Sequence, residues 1–212
     1  MREDKRFLLN LMNSDGVLKS PLAIRAFEKV AREDFVLPEY KKRAYDDIPL
    51  PIMAGQTISQ PSTVAIMTEL LGVREGHKIF EVGTGSGYQA AILSEIIGKS
   101  GKVITTEIVP EVFEFGKKNI EKYRNVEALL FDGSKGYEKG APYDRIIITA
   151  AAPEIPNALK KQLKISGKLV APVGAGLMQE MTLIERVSEK EYKTTYHGAF
   201  MFVPMRGDDE KV

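Results

Sequence analysis

The run Lys78-Ile-Phe-Glu-Val82, followed at once by Gly83-Thr-Gly-Ser-Gly87, limits the architecture of this chain more than any other feature. A short apolar run breaks into alternating glycines and then gives way to a helical pattern reaching about Ile97. This reads as a buried strand, a tight turn and a helix. Glycine permits such a turn because it takes φ values closed to other residues, and it leaves bare backbone for a ligand to approach.

The unit repeats. Lys102–Glu107 is a second strand, followed by a helix that Pro110 opens in its favoured first-turn place and that runs to about Tyr123. Val126–Phe131 is a third strand and Asp144–Thr149 a fourth, whose continuous apolar centre suits burial on both faces. A helix over about Ile155–Lys164 leads to a fifth strand at Lys168–Ala171, and Met181–Val187 with Tyr192–Val203 reads as a closing antiparallel pair. The alternation predicts an α/β fold with a doubly wound, mostly parallel sheet.

Ahead of it lie amphipathic helices around Phe7–Met12 and Ile24–Ala31, then a proline- and glycine-broken stretch from Phe35 to Pro61, then a helix from Ser62 to Leu71. A loop that long inside a compact domain is usually functional. We expect one domain: residues 1–75 as N-terminal helices and active-site loop, 76–205 as ligand-binding core, and 206–212 as a charged tail that frays.

Composition narrows the chemistry. The chain has 212 residues with 30 Lys or Arg against 29 Asp or Glu, so it has no global charge that would seek nucleic acid or an anionic membrane. It has no cysteine, and its two histidines, His77 and His197, are far apart. Disulfides, thiolate nucleophiles and cysteine or histidine-rich metal sites are thereby excluded. His77 is expected at the surface and His197 in packing. The charged start does not resemble a secretory signal, and no apolar run approaches the ~20 residues of a membrane span. The expectation is a soluble, cytoplasmic protein with no metal, whose chemistry rests on hydroxyls, carboxylates, backbone and a bound ligand.

Three candidate ligand contacts fall after successive strands, at the carboxyl edge where open α/β sheets bind ligands. Gly83, Gly85 and Gly87 form the first, though the dinucleotide spacing fails because position 88 is tyrosine. Glu107 can accept both hydroxyls of a ribose, its plainer reading being a solvated strand-end charge. Asp132-Gly133 can set a carboxylate against an adenine amino group or be only a turn. Together they suggest a nucleoside-bearing cofactor without a pyrophosphate clamp.

The segments Glu81–Tyr88, Glu107, Asp132-Gly133 and Tyr143–Ala151 resemble successive motifs of class I S-adenosylmethionine-dependent methyltransferases. More specifically, Asp47-Ile-Pro-Leu-Pro-Ile52 followed by Gly55-Gln-Thr-Ile-Ser-Gln-Pro61 resembles the signature of the protein-L-isoaspartate (D-aspartate) O-methyltransferase family. Arg32-Glu-Asp-Phe-Val36, Gln162-Leu-Lys164, Leu169–Gly174 and Phe202-Val-Pro204 fit the same family, so the likeness covers about residues 20–205.

The resemblance implies a Rossmann-like methyltransferase fold and a protein-repair activity. Methyl would pass from S-adenosyl-L-methionine to the α-carboxylate of L-isoaspartyl residues in damaged proteins and peptides, with D-aspartyl residues left open as a second substrate. Ser59 matches the family's active-site serine, with Thr57 and Ile58 shaping the substrate pocket. Glu81 and the Gly83–Gly87 loop would hold the methionine part of the cofactor, Glu107 the ribose and Asp132-Gly133 the adenine. From the residues alone, Ser59 is equally placed to cap the helix starting near Pro61.

Some positions depart from the family pattern. Glu81 stands where aspartate is usual, Met53-Ala54 replaces a glycine-containing pair, Ser166-Gly167 replaces Gly-Gly, and Ala31 replaces proline. Ser62-Thr63-Val64 lies where many relatives carry histidine, so no histidine contact transfers. Two rivals fit less well. Amine methylation usually needs an Asn/Asp-Pro-Pro-aromatic motif where this chain reads Thr149-Ala-Ala-Ala-Pro153, and a nicotinamide-dependent dehydrogenase needs a Tyr/Lys pair that is missing. A cofactor-binding relative without activity remains open at the level of sequence.

Overall fold

A computed structural model describes residues 1–207, so most of the tail expected to fray lies outside the described residues. The helices are α1 (Glu3–Ser14), α2 (Pro21–Lys29), α3 (Pro61–Leu71), α4 (Tyr88–Ile97), α5 (Pro110–Ile120) and α6 (Asn157–Gln162). The strands are β1 (Leu50–Pro51), β2 (Thr57–Ile58), β3 (Lys78–Val82), β4 (Lys102–Glu107), β5 (Val126–Leu130), β6 (Tyr143–Ile148), β7 (Leu163–Val173), β8 (Gln179–Arg186) and β9 (Tyr192–Phe200).

Seven strands form one sheet in the order β5-β4-β3-β6-β7-β8-β9. From β5 to β7 all neighbours are parallel, while β8 and β9 add antiparallel. The chain winds outward from β3 through β4 to β5 and then returns to place β6 on the other side of β3. Connections leaving β3 and β6 therefore diverge, which opens a crevice at their carboxyl ends.

Side-chain alternation assigns the two faces of the sheet. Ile79, Ile147 and Val170 join the larger core, which also holds Leu8, Phe27, Val64 and Ile92 from the helices. Phe80, Ile146, Ile148 and Leu169 face the smaller core, against Leu159 of α6. The N-terminal helices thus cover one face of the core strands. The short hairpin β1–β2 pairs Leu50 with Ile58 and Pro51 with Thr57 within the proline-broken stretch, which also holds short 3-10 turns at Pro38–Arg43 and Met53–Gly55.

Local signals set most boundaries. Ser20 caps α2 by accepting the Ala23 N–H at 3.3 Å, with Pro21 in the first turn. Gly72, at φ 60°, closes α3 in the left-handed conformation. Elsewhere the boundaries move. The expected helix at Ile155–Lys164 shrinks to α6, and β7 begins at Leu163 rather than Lys168. There Ser166 adopts φ 65° and the pairing with β6 shifts register, so the strand gains residues through an irregularity that periodicity cannot reveal. Helix α5 stops at Ile120 because a turn closes from the Tyr123 N–H to the Ile120 carbonyl at 2.9 Å. His77 is half-buried, and His197 is exposed on β9 rather than packed.

Candidate active site

A pocket opens at the carboxyl ends of β3, β4 and β6. Thr57, Ile58, Ser59, Gly83, Gly85, Glu107 and Gly133 line it together. Residues more than 70 positions apart in sequence thus share one wall system, and the loop carrying Ser59 faces the glycine loop across it.

Glu107 is held rather than solvated. One carboxylate oxygen accepts the Gly85 N–H at 3.0 Å, and the other accepts the N–H groups of Ile108 and Val109 at 2.9 and 3.1 Å. Only 8% of the residue is exposed. Three amides fix the carboxylate at the pocket wall and leave about one of its four lone-pair sites, on the oxygen that accepts from Gly85, for a hydroxyl donor.

The glycines divide their work. Gly85, at φ 53°, has nothing among the described residues within 4 Å of where a Cβ would stand, so that side of the loop is open to a ligand. Gly83, at φ 98°, lies against Thr149, whose hydroxyl donates to the Gly83 carbonyl at 2.7 Å. Gly87 is off the wall. A Cβ there would meet Ile120 at 2.6 Å and the Gly116 carbonyl at 3.0 Å, so this glycine lets α4 start close against α5.

Glu81 and Asp132 also stand behind the wall. Glu81 is fully buried, and among the described residues neither carboxylate oxygen has a hydrogen-bond partner. The Thr105 hydroxyl, which works against the shift, lies 2.8 Å from the Thr84 hydroxyl instead. Burial, reinforced by the nearby Glu107 charge, pushes the Glu81 carboxyl up to about 8. Asp132 caps the turn of residues 133–135, accepting the N–H and hydroxyl of Ser134 at 3.0 and 2.6 Å. The turn reading of Asp132-Gly133 is therefore realised in the aspartate, while Gly133 reaches the pocket. Its lack of a side chain is required there by contact with Thr106 and Val82.

The cap reading of Ser59 is corrected. Gln60 occupies the cap position of α3 without a side-chain bond, and Asp47 reaches in from the preceding loop to accept the Ser62 N–H at 2.9 Å. The same carboxylate accepts from the Gln60 side chain at 3.1 Å. Ser59 is partly exposed, and its hydroxyl makes no hydrogen bond among the described residues.

Several wall residues escaped the sequence reading. Tyr88 closes the glycine-loop motif and Phe131 immediately precedes Asp132-Gly133, so adjacency to those motifs is a usable signal for both. Val203 and Pro204 fall in the Phe202-Val-Pro204 segment that fits the family, whereas Met205 and Arg206 gave no signal. They are pinned because Ala151 donates to the Val203 carbonyl and Met205 to the Ala151 carbonyl, each at 2.8 Å. Arg206, expected in the frayed tail, lies in the wall.

A glycine loop at the switch point of this sheet, beside an anchored acid at the end of the next strand, defines a Rossmann-like nucleoside-binding fold. The sequence profile described as protein-L-isoaspartate(D-aspartate) O-methyltransferase matches residues 2–210, and the chain belongs to that family. It is 46% identical to the protein-L-isoaspartate O-methyltransferase of Methanopyrus kandleri over 98% of this chain and 93% of that one. Identity to the protein of the same name from Staphylothermus marinus is 47%, over 97% of this chain and 95% of that one. A solved structure named protein-L-isoaspartate O-methyltransferase matches 96% of the chain with a TM-score of 0.86 and 29% identity, and this chain spans 66% of that longer one. A putative family member from Plasmodium falciparum, solved in complex with S-adenosyl-L-homocysteine, shares the fold with a TM-score of 0.85 at 23% identity, covering 97% of this chain and 99% of that one.

Proposed function

We propose that this pocket binds S-adenosyl-L-methionine and that the enzyme methylates the α-carboxylate of L-isoaspartyl residues in damaged proteins and peptides. The observation that carries the reading is the meeting of two walls in one pocket: Thr57, Ile58 and Ser59 on one side, Gly83, Gly85, Glu107 and Gly133 on the other. Residues 1–75 then supply the substrate side and residues 76–205 the cofactor side.

The donor set suits such a ligand. Glu107 offers an anchored acceptor for a ribose hydroxyl, Gly85 leaves its Cβ side open, and Gly133 and Phe131 border the space beyond. When bound, the cofactor supplies a methyl group on a sulfonium that departs as a neutral thioether, so no proton has to move. The acceptor carboxylate is already ionised at neutral pH, and no general base is needed. What remains for the protein is to orient and to exclude water. Ser59 supports the first task, with a hydroxyl able to donate to the substrate carboxylate. The methyl ester is then set to collapse to a succinimide, whose hydrolysis regenerates some normal aspartate.

The test pairs labelled S-adenosylmethionine with peptides that differ only in containing L-isoaspartyl, D-aspartyl or L-aspartyl. Label confined to the isoaspartyl peptide, or shared only with the D-aspartyl one, is the expected result. Equal label on the L-aspartyl peptide, or cofactor binding with no transfer, defeats the proposal.

A further inference from the structure

Arg32 is completely buried, yet no carboxylate stands within ion-pair distance of it among the described residues. Its Nη1 donates to the Ala44 carbonyl at 2.8 Å, and its Nη2 donates to the Ile48 carbonyl at 3.3 Å and the Ser59 carbonyl at 2.8 Å. The guanidinium carbon lies 5.7 Å from the centre of the Tyr88 ring. A buried cation with no anion in contact is costly, and an apolar side chain would fill the space more cheaply if filling were all that mattered. The planar fork does what no apolar residue can: it gathers three carbonyls of one loop onto a single rigid group.

The two ends of this arrangement lie on opposite walls of the pocket. Ser59 belongs to the loop beside the substrate, and Tyr88 follows directly on the glycine loop. Holding the Ser59 carbonyl fixes its peptide plane, and with it the direction in which the hydroxyl leaves the backbone. We infer that Arg32 is a positioning residue for methyl transfer, setting the Ser59 loop against the cofactor wall at Tyr88 without touching the reacting atoms. The inference rests on the role proposed above for Ser59.

Arg32→Lys keeps the charge and loses the fork. The expected variant is folded by circular dichroism and binds S-adenosylhomocysteine with a dissociation constant within about twofold of wild type. Its kcat on the isoaspartyl peptide falls by about tenfold or more, with a raised peptide KM. Because Arg32 acts through Ser59, the double variant with Ser59→Ala is no slower than Ser59→Ala alone, within about twofold. Losses that multiply in full overturn the inference, as do wild-type kinetics in Arg32→Lys or a loss of cofactor affinity matching the loss of rate. If neither Arg32→Lys nor Arg32→Met folds, Arg32 belongs to the fold rather than to the site, and the inference falls. Wild-type transfer to the same peptide, run alongside, fails only if the proposed activity is wrong. Full activity in Ser59→Ala alone removes the route through Ser59.

Discussion

The Gly85 N–H donates to the Glu107 carboxylate at 3.0 Å, fastening the glycine loop to the end of the neighbouring strand. With Ile108 and Val109 holding the other oxygen, the acid is fixed before any ligand arrives. Its position need not be set during binding, which lowers the ordering cost of holding a ribose. Glu107→Ala should weaken S-adenosylhomocysteine binding by roughly 1.5–3 kcal/mol for each hydrogen bond lost to the charged group. Calorimetry decides, and an unchanged affinity refutes the assignment.

Asp47 and Ser59 should separate stability from catalysis. Asp47 satisfies the first turn of α3, so Asp47→Ala should cost about 1 kcal/mol in urea unfolding. Ser59→Ala removes no cap and should stay within about 0.5 kcal/mol of wild type. Methyl incorporation should fall in Ser59→Ala while cofactor affinity holds. A Ser59→Ala protein as active as wild type would remove its catalytic role.

Glu81 predicts a pH effect on the protein without ligand. Its carboxyl is raised from 4.5 to about 8 by burial. Between those values the unfolded chain has released a proton that the folded chain keeps, so stability is full below pH 4.5, falls as pH rises toward 8, and then levels off. Over the whole span the loss is on the order of a few kcal/mol. Glu81→Gln should flatten this slope and raise the melting temperature at pH 8. A slope identical to wild type counts against a neutral Glu81 in the fold.

Ser166 holds φ 65° at an exposed position. A left-handed conformation costs an ordinary side chain about 1–2 kcal/mol, part of which glycine returns as extra freedom in the unfolded chain. Ser166→Gly should therefore stabilise by roughly 0.5–1 kcal/mol in thermal or urea unfolding. Gly167→Ala should do the reverse, because a Cβ there would meet the Lys164 carbonyl at 2.7 Å. A destabilised Ser166→Gly would show that the strain is relieved some other way.

The parallel core was legible because its determinants are local. Apolar runs such as Ile146–Ile148, glycines between strand and helix, and Pro110 at a helix start each announce themselves within a few residues. From that alternation alone the carboxyl edge of the sheet, and Glu107 on it, could be placed.

Where the side chains go was decided by packing between distant segments. Gly87 and Gly83 look alike in the sequence, yet one serves the contact of α4 with α5 and the other borders the pocket. Asp47 caps a helix 15 residues away, taking the part that proximity alone offered to Ser59. Arg206 reaches the Ala54 carbonyl across 152 residues of chain, and nothing in the Arg32-Glu-Asp-Phe-Val36 segment announces which carbonyls Arg32 meets. Spacing along the chain fixes which elements form and in what order. The partner each buried polar group finds depends on which elements come to rest against it, and only the tertiary structure decides that, because a buried group must bond to whatever packing brings within reach.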